Sequence, residues 1–219
     1  MDFYRNENEN KQSVTFTDDQ SAAIDELISF IAATWSDKDF IRGLCGPGGT
    51  GKTFVTKYII ENCKYSHSVI KCTAPTHKAC RVLNNAIGNI RNVETIQSTF
   101  GLRLDLKLED FDPERPQFNP IAGPKLNNIK LLIVDEASML PAKLVKYIIS
   151  TCKKLNIKII FQGDSFQLPP VGEKQSYAFT QCYKTNYLNE IVRQGNDNPI
   201  RDILSICLLY TSDAADDLT

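Results

Sequence analysis

The sequence runs to 219 residues with 42% hydrophobic side chains, enough to bury the core of one α/β domain, and one principal domain is the expectation. Its 25 basic and 26 acidic residues exclude a global basic field, so any nucleic-acid contact has to come from a local patch. The cysteines at 45, 63, 72, 80, 152, 182 and 207 show no C-x-x-C pair and no metal-ligand spacing, which reads as reduced, mostly buried thiols. No signal-like stretch and no membrane-length apolar run is present, so the expected location is cytoplasmic.

Residues 1–14 are polar and Asn/Glu-rich and read as a flexible arm. From Thr17 a Thr/Asp start signal precedes Ala22, Ala23, Ile24, Leu27, Ile28 and Ile31 at helical spacing, which predicts an amphipathic helix. Strand-like runs at 40–45, 69–73, 130–135 and 157–164 then alternate with helical segments at 52–63, 77–87 and 141–154. That rhythm predicts an α/β fold, a mostly parallel sheet with helices on both faces. Between residues 103 and 128 the alternation gives way to prolines, a pattern suited to a small hairpin or loop insertion on the rim of the sheet.

Gly46, Pro47, Gly48, Gly49, Thr50, Gly51, Lys52 and Thr53 fit G-x-x-x-x-G-K-[ST] between a strand and a helix, the setting a phosphate-binding loop needs. Glycines let backbone N–H groups turn inward around phosphates, and the helix N-terminus adds its positive dipole end. Lys52 reaches the β/γ-phosphates of a bound nucleotide, and the Thr53 hydroxyl can ligate Mg²⁺. Asp135 and Glu136 follow the apolar run LLIV at the end of a strand, where doubly wound sheets present ligand-facing groups. Two adjacent acids there suit two tasks: Asp135 holds the Mg²⁺ water shell, and Glu136 orients the water that attacks the γ-phosphate. The run FQGDSFQLPPVG brings Asp164 and Gln167 toward the same edge on a loop stiffened by Pro169 and Pro170. An amide at Gln167 is able to report a γ-phosphate oxygen without adding charge.

Taken in order, TFTDDQSAAI, GPGGTGKT, CTAPTHKA, TIQSTFGL, LLIVDEASML, QGDSFQLPPVG and LNEIVRQ resemble the RecD-like branch of superfamily 1 helicases over roughly residues 15–206. The resemblance implies a RecA-like P-loop NTPase motor domain that couples ATP hydrolysis to translocation on single-stranded DNA and to duplex unwinding. It assigns Gln20 to the adenine edge and Arg193 to the γ-phosphate. Read alone, Gln20 is a helix-start residue and Arg193 a surface arginine paired with Glu190. By the same resemblance Pro75, Thr76, His77 and Lys78 contact the strand backbone, as do Thr95, Gln97 and Ser98, although many relatives have His where this chain has Gln97. His77 reads equally as a capping or core residue. The insertion lies where relatives carry a strand-separating hairpin, and its Phe111 and Phe118 read either as base-stacking or as core anchors. The implied setting is a monomer in a bacterial cell or a phage-infected host, acting with replication or repair proteins.

Residues 207–219 neither continue the apolar pattern nor supply a domain, and 207–216 resembles the translation of a transposon-type sequencing adapter. Setting them aside removes Asp213, Asp216 and Asp217 and no basic residue, which tips the remainder slightly basic. The expectation is a motor domain cut before its second half, with little activity by itself. A different class, a one-domain ATP-dependent switch that recruits a partner without translocating, requires the natural chain to end here. A small-molecule kinase would need a phosphoacceptor site and lid that the sequence does not offer.

Overall fold

The computed structural model describes residues 15–88, 93–104, 118–164, 167 and 176–192. The expected arm at 1–14, the tail at 207–219, Phe111 and Arg193 lie outside them, as do the prolines of the sensor loop. Helix α1 (Asp18–Ala32) starts on a reciprocal cap: the Thr17 hydroxyl accepts from the Gln20 N–H, and the Gln20 side chain accepts from the Thr17 N–H. Asp18 and Asp19 in its first turn complement the helix dipole, and Ala23, Ile24, Leu27, Phe30 and Ile31 bury one face at helical spacing.

Strand β1 (Ile41–Cys45) leads into α2 (Lys52–Asn62), β2 (Ile70–Ala74) into α3 (His77–Ala86), and the short β3 (Glu94–Thr95) into α4 (Ile96–Phe100). Strands β4 (Leu102–Leu104) and β5 (Phe118–Pro120) pair antiparallel, so the expected hairpin insertion is present at its base. The chain then forms β6 (Leu131–Val134), α5 (Ala142–Lys154), β7 (Lys158–Gly163), the short helix α6 (Tyr177–Thr180) and β8 (Lys184–Tyr187).

The main sheet has six strands in the order β3-β2-β6-β7-β1-β8, and every described ladder in it is parallel. Side-chain alternation along the buried strands divides two cores between its faces. Leu131, Ile133 and Ile160 pack with α1, α2 and α3. Leu132, Val134, Ile159 and Phe161 pack with α4, α5 and α6 on the opposite side. Helices on both faces are thus a consequence of apolar runs whose odd and even positions are equally hydrophobic. The expected strands and the three long helices agree with this within one or two residues. Strand β8 and the two-residue β3 are additions, because the edge strand KTNY is too exposed to carry an apolar signature.

Helix α1 has no basic residue in its last turn. The sheet supplies one: Lys158, 1% exposed at the start of β7, donates to the carbonyls of Phe30, Ile31 and Ala33 and lies 4.8 Å from the Phe30 ring centroid. Arg42 stacks on the same ring from β1 and bonds Glu26 and Asp39. Burial pushes the Lys158 amine down to about 8. Its folded-state value is depressed, so between about 8 and its ordinary value the unfolded chain holds more protons and stability rises with pH. Lys158→Met should lower the melting temperature near pH 10, where the folded amine is neutral and its charge penalty has largely gone, because three carbonyls lose their donor at a cost of about 1–3 kcal/mol. It should also remove the rise in stability between pH 8 and 10, both read by thermal denaturation across that range.

Candidate active site

Because the strands run parallel, β1, β2, β6 and β7 all deliver the residues after their last pair to one edge of the sheet. The P-loop leaves β1 there. It is held on three sides: the Gly46 N–H donates to the Gly163 carbonyl, the Val192 N–H donates to the Gly49 carbonyl, and the buried Thr50 hydroxyl donates to the Pro47 carbonyl. Gly46 must be glycine for contact reasons, since a Cβ would come within 2.5 Å of the Leu188 carbonyl oxygen. Gly51 sits at φ +86° and starts α2, and a Cβ there would meet the Gln20 Nε2 at 2.6 Å. Gln20 is accordingly buried against the loop, with its Nε2 donating to the Thr50 carbonyl at 3.0 Å. One residue thus caps α1 and ties that helix to the phosphate loop.

Lys52 Nζ donates to the carbonyls of Gly46 (2.6 Å) and Pro47 (3.0 Å), which places its charge inside the curve of the loop. Desolvation lowers its pKa, opposed by the fields of Asp164, Glu136 and Asp135, so the lysine and the three acids of β6 and β7 form one electrostatic group. Thr53 follows on the first turn of α2. Asp135 extends the β2–β6 ladder through its N–H to the Thr73 carbonyl, and its carboxylate accepts from the Gln162 side chain at 2.8 Å. Burial raises the Asp135 pKa, while the backbone N–H of Glu136 and the amide of Gln162 pull it back. Glu136 is raised by burial and then by its neighbour Asp135. It adopts φ 52°, in the left-handed region that side-chain-bearing residues seldom occupy, to turn the chain off β6 into the short 3-10 turn Ala137–Met139.

The strand-contact candidates leave the same edge. Thr76 and Thr95 are the N-caps of α3 and α4, accepting from the N–H groups of Ala79 and Ser98. Pro75 precedes that first cap, and Thr76, His77 and Lys78 are exposed. His77 is therefore neither a core histidine nor the cap. It lines an open cavity of about 550 Å³ with Cys80, Arg81, Asn84, Val93 and Glu94. Gln97 is half-buried, and Ser98 donates to Glu94, which also pairs with Lys71 and Lys125. Gln167 is exposed just past Asp164, its N–H on the Asp164 carbonyl.

A family model described as an AAA domain matches residues 15–207. The chain belongs to this AAA domain family. Among curated proteins, the domain is 34% identical over 164 residues to the ATP-dependent DNA helicase dda of Enterobacteria phage T4, covering 72% of this chain and 35% of that protein. Among solved structures it resembles Pif1 helicase from Candida albicans, with a TM-score of 0.56, 22% identity and coverage of 87% of this chain and 43% of that one. A Bacteroides Pif1 helicase in complex with ADP-AlF3 and single-stranded DNA has a TM-score of 0.53 at 21% identity, over 84% of this chain and 44% of that one. These likenesses identify the fold as that of a RecA-like helicase motor domain, and the named homologues are ATP-dependent DNA helicases. The AAA domain spans less than half the length of the curated relatives it matches.

Among the described residues no helix is long and apolar enough to cross a membrane, and no three His, Cys, Asp or Glu side chains gather to hold a metal. The six described cysteines stand as thiols, four of them buried. Sequence reasoning passed over Gln162 and Thr56. The available signal was a lone amide in the apolar run IKIIFQG, since a buried amide requires partners.

Glu136→Gln provides a charge test of this site in the AAA domain. The folded carboxyl is raised, so its penalty is full at neutral pH and fades as pH falls through its folded value toward the unfolded one. The variant should melt a few degrees higher than the parent at pH 7 and close to it at pH 4, by differential scanning calorimetry at both pH values.

Proposed function

We propose that the chain is the ATP-binding motor domain of a DNA helicase, in which ATP hydrolysis is coupled to movement along single-stranded DNA and to duplex unwinding. The observation that carries the reading is a shared edge: Lys52, Asp135 and Glu136 gather at the strand ends from which Thr76, His77 and Lys78 also emerge. A nucleotide and a strand bound there would contact the same short loops. The phage T4 relative, an ATP-dependent DNA helicase, and the Bacteroides Pif1 helicase, in complex with ADP-AlF3 and single-stranded DNA, support carrying the activity across.

In this mechanism Gly46 to Thr53 wrap the phosphates with backbone N–H groups, and Lys52 trades its loop carbonyls for β- and γ-phosphate oxygens. The oxygen donors Thr53 and Asp135 fit Mg²⁺, which prefers hard ligands, takes few from the protein and the rest from phosphates and water. That ion supplies charge neutralisation when bound. Glu136, held on a turned backbone beside Asp135, orients the attacking water and accepts its proton, a task favoured by a carboxyl held above its ordinary pKa. Gln20, already against Thr50, presents its amide at the loop for the adenine edge. Gln167 reads the γ-phosphate, the group to which the family resemblance also assigns Arg193. Pro75, Thr76, His77, Lys78, Thr95, Gln97 and Ser98 line the strand path. Replication or repair proteins are the partners this activity calls for, and a monomer in a bacterial cytoplasm or phage-infected host is the corresponding setting.

Binding of a fluorescent oligothymidylate at several salt concentrations tests the strand path. Lys78→Ala should weaken binding and reduce the log–log salt slope by roughly one ion. An unchanged slope would remove Lys78 from the path, and no measurable strand binding by the parent would remove the reading as a motor.

A further inference from the structure

Gln162 is 1% exposed and Thr56 is 2% exposed, and both lie in the core between the sheet and α2, among groups such as Ile59, Ile60 and Ile160. The Thr56 hydroxyl donates to Gln162 Oε1, and Gln162 Nε2 donates to Asp135 Oδ1 at 2.8 Å. A leucine and a valine would fill the same space without the desolvation cost of an amide and a hydroxyl, so packing does not account for the pair. Their chemistry fixes a direction. Only with its NH₂ toward the carboxylate and its oxygen toward the hydroxyl does the amide satisfy both neighbours, because a carboxylate only accepts. Thr56 lies three residues after Thr53 on α2, on the same side of the helix. The chain Thr56–Gln162–Asp135 therefore joins the helix of the phosphate loop, through β7, to the acid at the end of β6.

We infer that Gln162 is a positioning residue that holds the Asp135 carboxylate for the divalent cation of the bound nucleotide, with Thr56 fixing the orientation of its amide. The inference rests on the nucleotide reading above. It adds two residues to that site, Thr56 on α2 and Gln162 on β7, which touch neither the phosphates nor the reacting atoms. One carboxylate oxygen is pinned from the core side, and the remaining lone pairs of Asp135 serve the cation and its waters. Outer partners of this kind commonly set metal affinity by a factor of 10–100.

The test uses the full chain and a fluorescent ATP analogue titrated at fixed Mg²⁺ concentrations and in chelator. Gln162→Met should raise the Mg²⁺ concentration for half-maximal nucleotide binding about tenfold while leaving cation-free binding unchanged. Thr56→Val should shift it in the same direction by less, and the double variant should be no worse than Gln162→Met alone, because both act through one chain of bonds. A Gln162→Met protein with a lowered melting temperature but the parent's Mg²⁺ requirement would overturn the role and leave Gln162 a packing group. Failure of the parent to bind the analogue at any Mg²⁺ concentration would instead overturn the nucleotide reading. NMR of the parent's Gln162 side-chain amide gives a check that needs no change at 162. Its protons should exchange slowly and shift on Thr56→Val. Fast exchange like that of a surface glutamine would contradict the chain of bonds.

Discussion

Because every described ladder of the six-stranded sheet is parallel, the backbone leaves β1, β2, β6 and β7 at a single edge, and the candidate site depends on that. Parallel pairing requires helical crossovers, and the crossovers require both faces of the sheet to be apolar. The two cores meet this demand with alternate residues of the same strands, Leu131 and Ile133 on one side and Leu132 and Val134 on the other. Strand ends joined by bonds such as Asp135 to Thr73, Gly46 to Gly163 and Leu188 to Cys45 then set the loops in register. The P-loop and the acid pair are neighbours because their strands are locked together beneath them.

The site stores opposing charge in a partly desolvated place. Lys52 is drawn below its ordinary pKa by burial and Asp135 and Glu136 are pushed above theirs, yet each is moderated by the other's field. Such a group is costly to keep and answers strongly to an incoming polyanion and cation, which is the behaviour a phosphate-handling centre needs. The rest of the structure supports it from a distance: Lys158 and Arg42 fix α1 on the sheet, and α1 carries Gln20 to the loop. These are the stabilising interactions that hold a strained centre.

The fold was legible where residues repeat a period or make a motif. Thr17 with Asp18 signalled the start of α1, Gly46 to Thr53 the loop between β1 and α2, and LLIVDE a buried strand ending in acids. What stayed hidden was long-range. Nothing near Gln162 in the sequence names Thr56 or Asp135 as its partners, which lie 106 and 27 residues away. Likewise, nothing around Lys158 in the sequence points to the carbonyls of Phe30, Ile31 and Ala33, more than 120 residues upstream. The edge strand β8 escaped because its exposed residues carry no alternation. His77 could not be placed from its neighbours, since cap, core and surface histidines share the same local sequence.

The proposed function requires the loop around Lys52 and the acids Asp135 and Glu136 to form one Mg²⁺-dependent ATP site. Isothermal titration of a non-hydrolysable ATP analogue into the parent chain and into Lys52→Ala, each with Mg²⁺ and with chelator, tests it most directly. One site is expected on the parent, tighter with Mg²⁺, with a loss of at least tenfold in affinity on removing the lysine, about 1.4 kcal/mol or more. Equal affinity in both proteins, or binding indifferent to Mg²⁺, would contradict it.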